Sequence, residues 1–367
     1  MTNRFVMKLF TTLMPIITWV ICFLIPGRKA GVAATEARNK GKIMTLVQNL
    51  ESYMDPEGRT TLQTIVEKCY AKGSFPALWA VEGAGKDLAE WHIARDPNPK
   101  RILVDAQLDP RWDGAWLMLH AGLGLGFSHF LLGKIGSKPT DSRLRETITR
   151  VVDLCRNNSR PGYWGAAIES LGLASRFMKS AAFCRRVHKI LSEYAPDAVG
   201  FFWRGVGRML YFHPINFFPG FVRPCRAIRM AEVEAPSPEL KETLMAGIAW
   251  PITIVNMTDP EVMEWILENH DDYFSGSKGF FNGVVASVVM RYDTTRDDPL
   301  IPAFMSHKPD PKKRTLCGLW NSKVRGSLET ALYSIYPVLK KHQRLDEVFH
   351  YQSLPALAAR LERSSAG

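Results

Sequence analysis

An all-α fold of six helical-pair repeats, each of about 40 residues, is predicted by three features of this 367-residue sequence. Apolar segments centred on glycine recur along it, no stretch sustains period-two alternation, and capping residues stand at the starts of several amphipathic segments between them. The glycine segments are "AVEGAGKDL" (Gly83), "LHAGLGLGF" (Gly122), "YWGAAIESL" (Gly165), "FWRGVGRML" (Gly205), "LMAGIAWPI" (Gly247) and "FFNGVVASV" (Gly283), at intervals of 39, 43, 40, 42 and 36 residues. Five carry Gly or Ala again two places on, at Gly85, Gly124, Ala167, Gly207 and Ala249, and the sixth has Val285. An interior glycine destabilises a helix by roughly 1 kcal/mol relative to alanine, so its recurrence implies helices whose backbones approach closely. Six pairs favour a closed α/α toroid over an open solenoid, with the glycine helices as one of its two layers.

In chain order, residues 1–30 form an apolar, membrane-associating segment. Its core, "LFTTLMPIITWVICFLIP" (9–26), carries no charge and as a helix would be about 27 Å long, close to the ~30 Å of a hydrocarbon core. Arg4 and Lys8 precede it, and Arg28, Lys29, Arg38, Lys40 and Lys42 follow. This heavier downstream load keeps the main domain cytoplasmic if the segment spans. A cleaved signal, or a helix or hairpin in the membrane interface or folded onto the protein, is the alternative. Residues 31–75 read as capping helices at 34–54 and 60–72. Residues 76–300 are the repeat domain, with second helices at 142–157, 180–194 and 259–269. Residues 301–367 hold a basic loop, "KPDPKKR", and C-terminal capping helices. No Ser-, Pro- or charge-rich break separates Gly83 from Gly283, which favours one continuous domain.

The net charge of +11 is carried in patches at 28–42, 185–189, 223–229 and 308–314. None is interleaved with the exposed aromatics of a single-strand binder or fits a groove-reading motif, so nucleic acid is not an expected partner. An anionic membrane surface or a phosphate-bearing substrate accounts for them equally well. Six cysteines without CxxC spacing argue against a zinc site and a disulfide framework and suit a reducing compartment. Cys184 and His188 share a helix face without further ligands nearby, so no metal is expected, and no cofactor motif is present. "GLGLG" (122–126) follows no strand and is not a dinucleotide fingerprint.

With the glycine helices inward, the residues just before each first glycine converge: Glu82, Ala121, Trp164, Arg204, Ala246 and Asn282. His120 lies one place earlier in its repeat, Arg208 one turn beyond Arg204, and Tyr211 further along that face. Glu82, His120 and Asp293 are the candidate acid/base residues. Trp164, Arg204, Arg208, Tyr211 and Asn282 are the candidate binding residues. Glu82 and Arg204 are equally readable as structural ions that pair with each other or with neighbouring repeats. Asp293 belongs to one of two acidic clusters, "YDTTRDD" (292–298); the other is "ENHDDYF" (268–274). In such clusters an acid beside threonines can donate a proton, although neither completes an aspartate-rich metal motif.

The segments "FPALWAVEGAGKDLA", "LMLHAGLGLGF", "FFWRGVGRMLYF", "LMAGIAWPI" and "FFNGVVASVVMRY" together resemble the bacterial family often labelled enediyne biosynthesis proteins, over residues 75–293. The third repeat, "YWGAAIES", departs from the His- and Phe-rich form of that family. The resemblance implies a setting in specialised metabolism and brings no catalytic residue with it. The expected function is therefore the binding, and acid/base or cyclase-like transformation, of a long apolar polyketide or isoprenoid intermediate. The alternative is a non-catalytic helical scaffold docking partner biosynthetic enzymes.

Overall fold

A computed structural model describes residue 20 and residues 28–48, 60–217, 225–270, 273 and 277–365. Apart from Val20, the apolar segment at 9–26 lies outside the described residues, as do Asp271, Asp272 and Phe274 of the acidic cluster at 268–274. Among the described residues every regular element is helical. They are α1 (Arg28–Gln48), α2 (Leu62–Tyr70), α3 (Ser74–Arg95), α4 (Trp116–Gly133), α5 (Asp141–Asn158), α6 (Trp164–Met178), α7 (Ala181–Tyr194), α8 (Val199–Phe212) and α9 (Arg226–Glu234). Next come α10 (Pro238–Val255), α11 (Glu261–Asn269), α12 (Gly279–Thr294) and α13 (Leu300–Ser306). A C-terminal rod of α14 (Arg314–Leu319), α15 (Gly326–Thr330) and α16 (Tyr336–Lys341) is joined by π-helical turns at Trp320–Arg325 and Ala331–Ile335; α17 (Leu354–Ser365) follows.

The helix starts follow from local chemistry. Thr140 and Ser180 accept the backbone N–H groups of Arg143 and Phe183, satisfying donors that the first turns of α5 and α7 leave open. Ser237 does the same for Leu240, with Pro238 in the first turn of α10, where its missing N–H is harmless.

The glycine-bearing helices α3, α4, α6, α8, α10 and α12 pack each against the next in chain order. A methyl carbon on Gly122 would lie 1.9 Å from the carbonyl oxygen of Glu82, and one on Gly205 equally near that of Glu169. Gly247 and Gly283 meet the Arg204 and Ala246 carbonyls in the same way. The small residue two places on faces the other neighbour: Gly85 meets the Leu119 carbonyl, Gly172 that of Phe202 and Gly207 that of Leu244. Helices α4 and α8 thus offer one bare backbone patch to the glycine helix before them, at Gly122 and Gly205, and another to the one after, at Gly124 and Gly207.

This pattern corrects the third segment. Ser170, not Gly165, takes the first small position, and its hydroxyl donates to the Ala121 carbonyl at 2.8 Å. Gly172 takes the second. The register is five residues later than the glycine spacing suggests, and the residue ahead of the small position is Glu169 rather than Trp164. Gly165 instead lies under the ring of Phe201, at the start of α6. A second difference concerns pairing. Residues 96–109, between α3 and α4, form bends and turns ahead of the 3-10 turn Pro110–Ala115, so the first glycine helix has no outer helix after it.

Pro110–Gly133 is the one described stretch long and apolar enough to cross a membrane, but 83% of its apolar window is buried within the protein. Core packing accounts for its composition. The interior holds Trp79, Trp203, Trp250 and Trp320 with almost no exposure, and Trp79 of α3 meets Trp250 of α10 edge-on at 5.8 Å.

Candidate functional site

Two polar assemblies lie within this apolar body. In the first, α3, α6 and α8 converge on four buried charges. Arg208 donates to both carboxylate oxygens of Glu82, at 2.6 and 2.9 Å, and to Glu169 at 3.3 Å. Arg204 donates to the other oxygen of Glu169 at 3.3 Å. The Arg208 guanidinium lies over Trp250 and that of Arg204 over Phe349, at 4.3 and 4.8 Å. Burial pushes the Glu169 carboxyl above its ordinary range, against the pull of Arg208 and Arg204. It also draws Arg204 down to about 10, still charged at neutral pH. Arg208 rises, because Glu82 and Glu169 together outweigh its burial. Two positive and two negative side chains balance in charge, as buried ions require, while Arg204 Nε and Nη2 and Arg208 Nε find no hydrogen-bond partner among the described residues. This assembly brings together Glu82, Arg204 and Arg208 and adds Glu169, which the sequence reading missed. Its signal was the Ser170-x-Gly172 pair, a close match to the Gly-x-Gly of three other segments.

The second assembly borders a cleft of about 830 Å³ between α2, the Pro110–Ala115 turn and the C-terminal end of α12. Gly114 makes this junction possible, since a methyl carbon there would lie 2.0 Å from the Asp293 carbonyl oxygen. The Asp293 carboxylate accepts from the Tyr336 hydroxyl at 2.9 Å and the Lys340 ammonium at 2.8 Å, both through Oδ1. Tyr336 and Lys340 are four residues apart on α16, directly after a π-helical turn, so one helix face supplies both donors. Lys340 also pairs with Asp113 at 2.6 Å, and Arg296 donates to the Tyr336 oxygen at 3.0 Å. Asp293 Oδ2 is buried and has no hydrogen-bond partner among the described residues.

Burial raises the Asp293 carboxyl above the usual aspartate range, opposed by Lys340 and Tyr336. The phenols of Tyr70, Tyr163 and Tyr336 are also raised by burial and remain protonated. Lys340 stays cationic, since Asp293 and Asp113 outweigh its desolvation. Chemically, this is a carboxylate of increased basicity with one oxygen saturated and the other bare, beside a fixed positive charge.

The other sequence candidates lie apart from both assemblies or at their edges. His120 is fully buried; its Nδ1 bonds the Trp116 carbonyl at 2.6 Å, and its Nε2 accepts the Arg160 backbone N–H at 3.0 Å. Burial lowers its pKa to about 3, so the ring is neutral. It stacks on Tyr163 at 4.8 Å, and Tyr163 in turn feels the charges of Lys340 and Asp293. Trp164 packs edge-on against Phe201, beneath Arg156. Tyr211 is buried under α1, where Lys40 sits 4.0 Å above its ring and Asn256 donates to its hydroxyl. Asn282 donates to the Gln352 carbonyl at 2.8 Å.

Among the described residues no group of three or more His, Cys, Asp or Glu side chains is arranged to hold a metal ion. Comparison with protein-family models, curated proteins and solved structures gave no match.

Proposed function

We propose that this protein binds a small organic molecule in the cleft that Asp293 borders and takes a proton from it at the buried Asp293 Oδ2. The observation that carries the reading is the half-satisfied carboxylate. A buried carboxylate oxygen without a donor is unfavourable unless something supplies one, and a cleft beside it lets a ligand do so. Lys340 and Tyr336 hold the carboxyl in place through Oδ1. The positive charge of Lys340 then lies close to the negative charge that a deprotonated ligand develops. The central ions of α3, α6 and α8 saturate most of each other's charge and serve the fold.

The closed toroid remains our proposal for the architecture. It is supported by the sequential packing of the glycine helices, the contact of α12 with α4, and the reach of α3 across to α8 and α10. The polyketide or isoprenoid intermediate expected from the sequence fits this cleft through its polar end only, because acidic, hydroxyl and guanidinium groups line much of it. The apolar segment at 9–26 supports association with a membrane, from which such an intermediate could be drawn.

A thermal-shift screen of small metabolites against the wild type and Asp293→Asn tests the reading. The expected result is a ligand that raises the wild-type midpoint by several degrees, about 2 kcal/mol at saturating excess, and raises the variant's far less. Equal shifts in both proteins would contradict it. A protein that answers to no small molecule and instead retains partner enzymes would favour the scaffold.

A further inference from the structure

We infer that the part of the ligand entering this cleft is uncharged and polyhydroxylated, of the saccharide or polyol class. The inference rests on the cleft being the binding site, as proposed above, and adds the ligand's chemistry from three features of the walls.

The first is charge. The lining contributes Glu67, Asp113, Asp293, Asp297 and Asp298 against Arg111 and Arg296, although the chain as a whole carries +11. Asp298 is answered by Arg291 behind the wall, Lys340 serves both Asp113 and Asp293, and Arg111 pairs with Asp109. A surplus of negative charge remains in an otherwise basic protein, which disfavours a phosphate or carboxylate ligand.

The second is a complementary pair of unmet hydrogen bonds. Asp293 Oδ2 lacks a donor, and Trp112 Nε1, an obligate donor, lacks an acceptor, as do six other indole N–H groups among the described residues; both atoms are buried, and of the seven indoles Trp112 is the one whose residue lines this cleft. An ammonium group answers the aspartate and leaves the indole unpaired. An anion answers the indole and repels the carboxylate. A hydroxyl both donates and accepts, so neighbouring hydroxyls on one carbon skeleton satisfy both atoms.

The third is the aromatic wall. Tyr70 packs on Trp112 with ring centroids 4.5 Å apart, and the Tyr70 hydroxyl is committed to the Thr294 carbonyl at 2.8 Å. This fixes the tyrosine and leaves an aromatic surface suited to the C–H face of a sugar ring or carbon chain. A volume of about 830 Å³ admits a ligand larger than one monosaccharide.

The test is a proton–nitrogen correlation spectrum of the full-length protein, in which each of the ten tryptophans contributes one indole N–H signal. Trp112→Phe identifies the Trp112 signal by its loss. Glucose, maltotriose and sorbitol are titrated to about 100 mM, with spermidine as the cationic probe and inorganic phosphate as the anionic one. The expected result is a saturable downfield movement of the Trp112 signal with at least one hydroxylated probe, and none with spermidine or phosphate. Movement with spermidine or phosphate alone would overturn the ligand class and leave the cleft standing as a site. No movement with any probe would overturn the inference outright. A hydroxylated probe that moves the Trp112 signal while binding Asp293→Asn as tightly as the wild type would count against the proton-acceptor reading, and not against the class.

Discussion

His120 shows how a residue that looks catalytic in the sequence is claimed by packing. Both of its nitrogens are engaged by backbone groups, and burial holds its pKa near 3 against an ordinary 6.5. The unfolded chain therefore binds a proton below pH 6.5 that the folded chain refuses, and stability from this site falls as pH drops from 6.5 towards 3. The full effect is on the order of 5 kcal/mol. Denaturant unfolding at pH 7.5 and pH 5 should show a loss for the wild type that is much reduced in His120→Gln. Asp346 has the opposite sign. Its carboxylate accepts the Gly165 N–H at the start of α6, and burial raises it to about 6 from 3.8. Its folded form favours the proton, so its contribution is lost as pH rises from 3.8 through 6. Asp346→Asn should gain stability relative to the wild type at pH 8 and gain none at pH 4. The central ions give a third residue-scale prediction. Glu169→Gln leaves Arg204 without a charged partner and should destabilise by about 3 kcal/mol, whereas an exposed pair such as Arg143–Glu146 should matter by less than about 1 kcal/mol.

Between elements, the glycines are the decisive feature, and here the sequence was largely legible. An apolar helix with two interior glycines has few explanations other than close packing, and the ladder of carbonyl contacts supplies it at five of the six segments. The third segment was misread for a physical reason. Serine carries the Cβ that glycine lacks, but it is small and its hydroxyl can hydrogen-bond the facing carbonyl, as Ser170 does with Ala121, and this substitution hid the register and with it Glu169. The missing outer helix after α3 was equally hidden, since spacing alone does not reveal what fills an interval. Asp293 could be singled out in the sequence, but its donors could not. Tyr336 and Lys340 come from a C-terminal rod whose π-helical turns leave no pattern that a 3.6-residue period would detect. Gly205→Ala should destabilise by about 2 kcal/mol or more because the added methyl meets the backbone of α6. Gly136→Ala, with open space around it, should be nearly neutral by the same unfolding measurement.

For the whole molecule, the glycine helices carry the fold and the cleft lies at its edge, where α2, the Pro110–Ala115 turn and α12 meet the C-terminal rod. In the proposed function, stability and chemistry are thereby separated. The central charges are balanced two against two, although Arg204 Nε and Nη2 and Arg208 Nε find no hydrogen-bond partner among the described residues, and the outlying Asp293 carboxylate keeps one oxygen unanswered beside a cleft. The central claim is that this oxygen meets a ligand. Mass spectrometry of both the aqueous and the organic extract of the denatured, purified full-length protein, run beside Asp293→Asn after both are shown to be folded, tests it most directly. The account predicts a small molecule retained by the wild type and depleted at least about tenfold in the variant, the ratio expected when a charge-assisted hydrogen bond is lost. An empty wild-type protein, or equal retention by both, would contradict it.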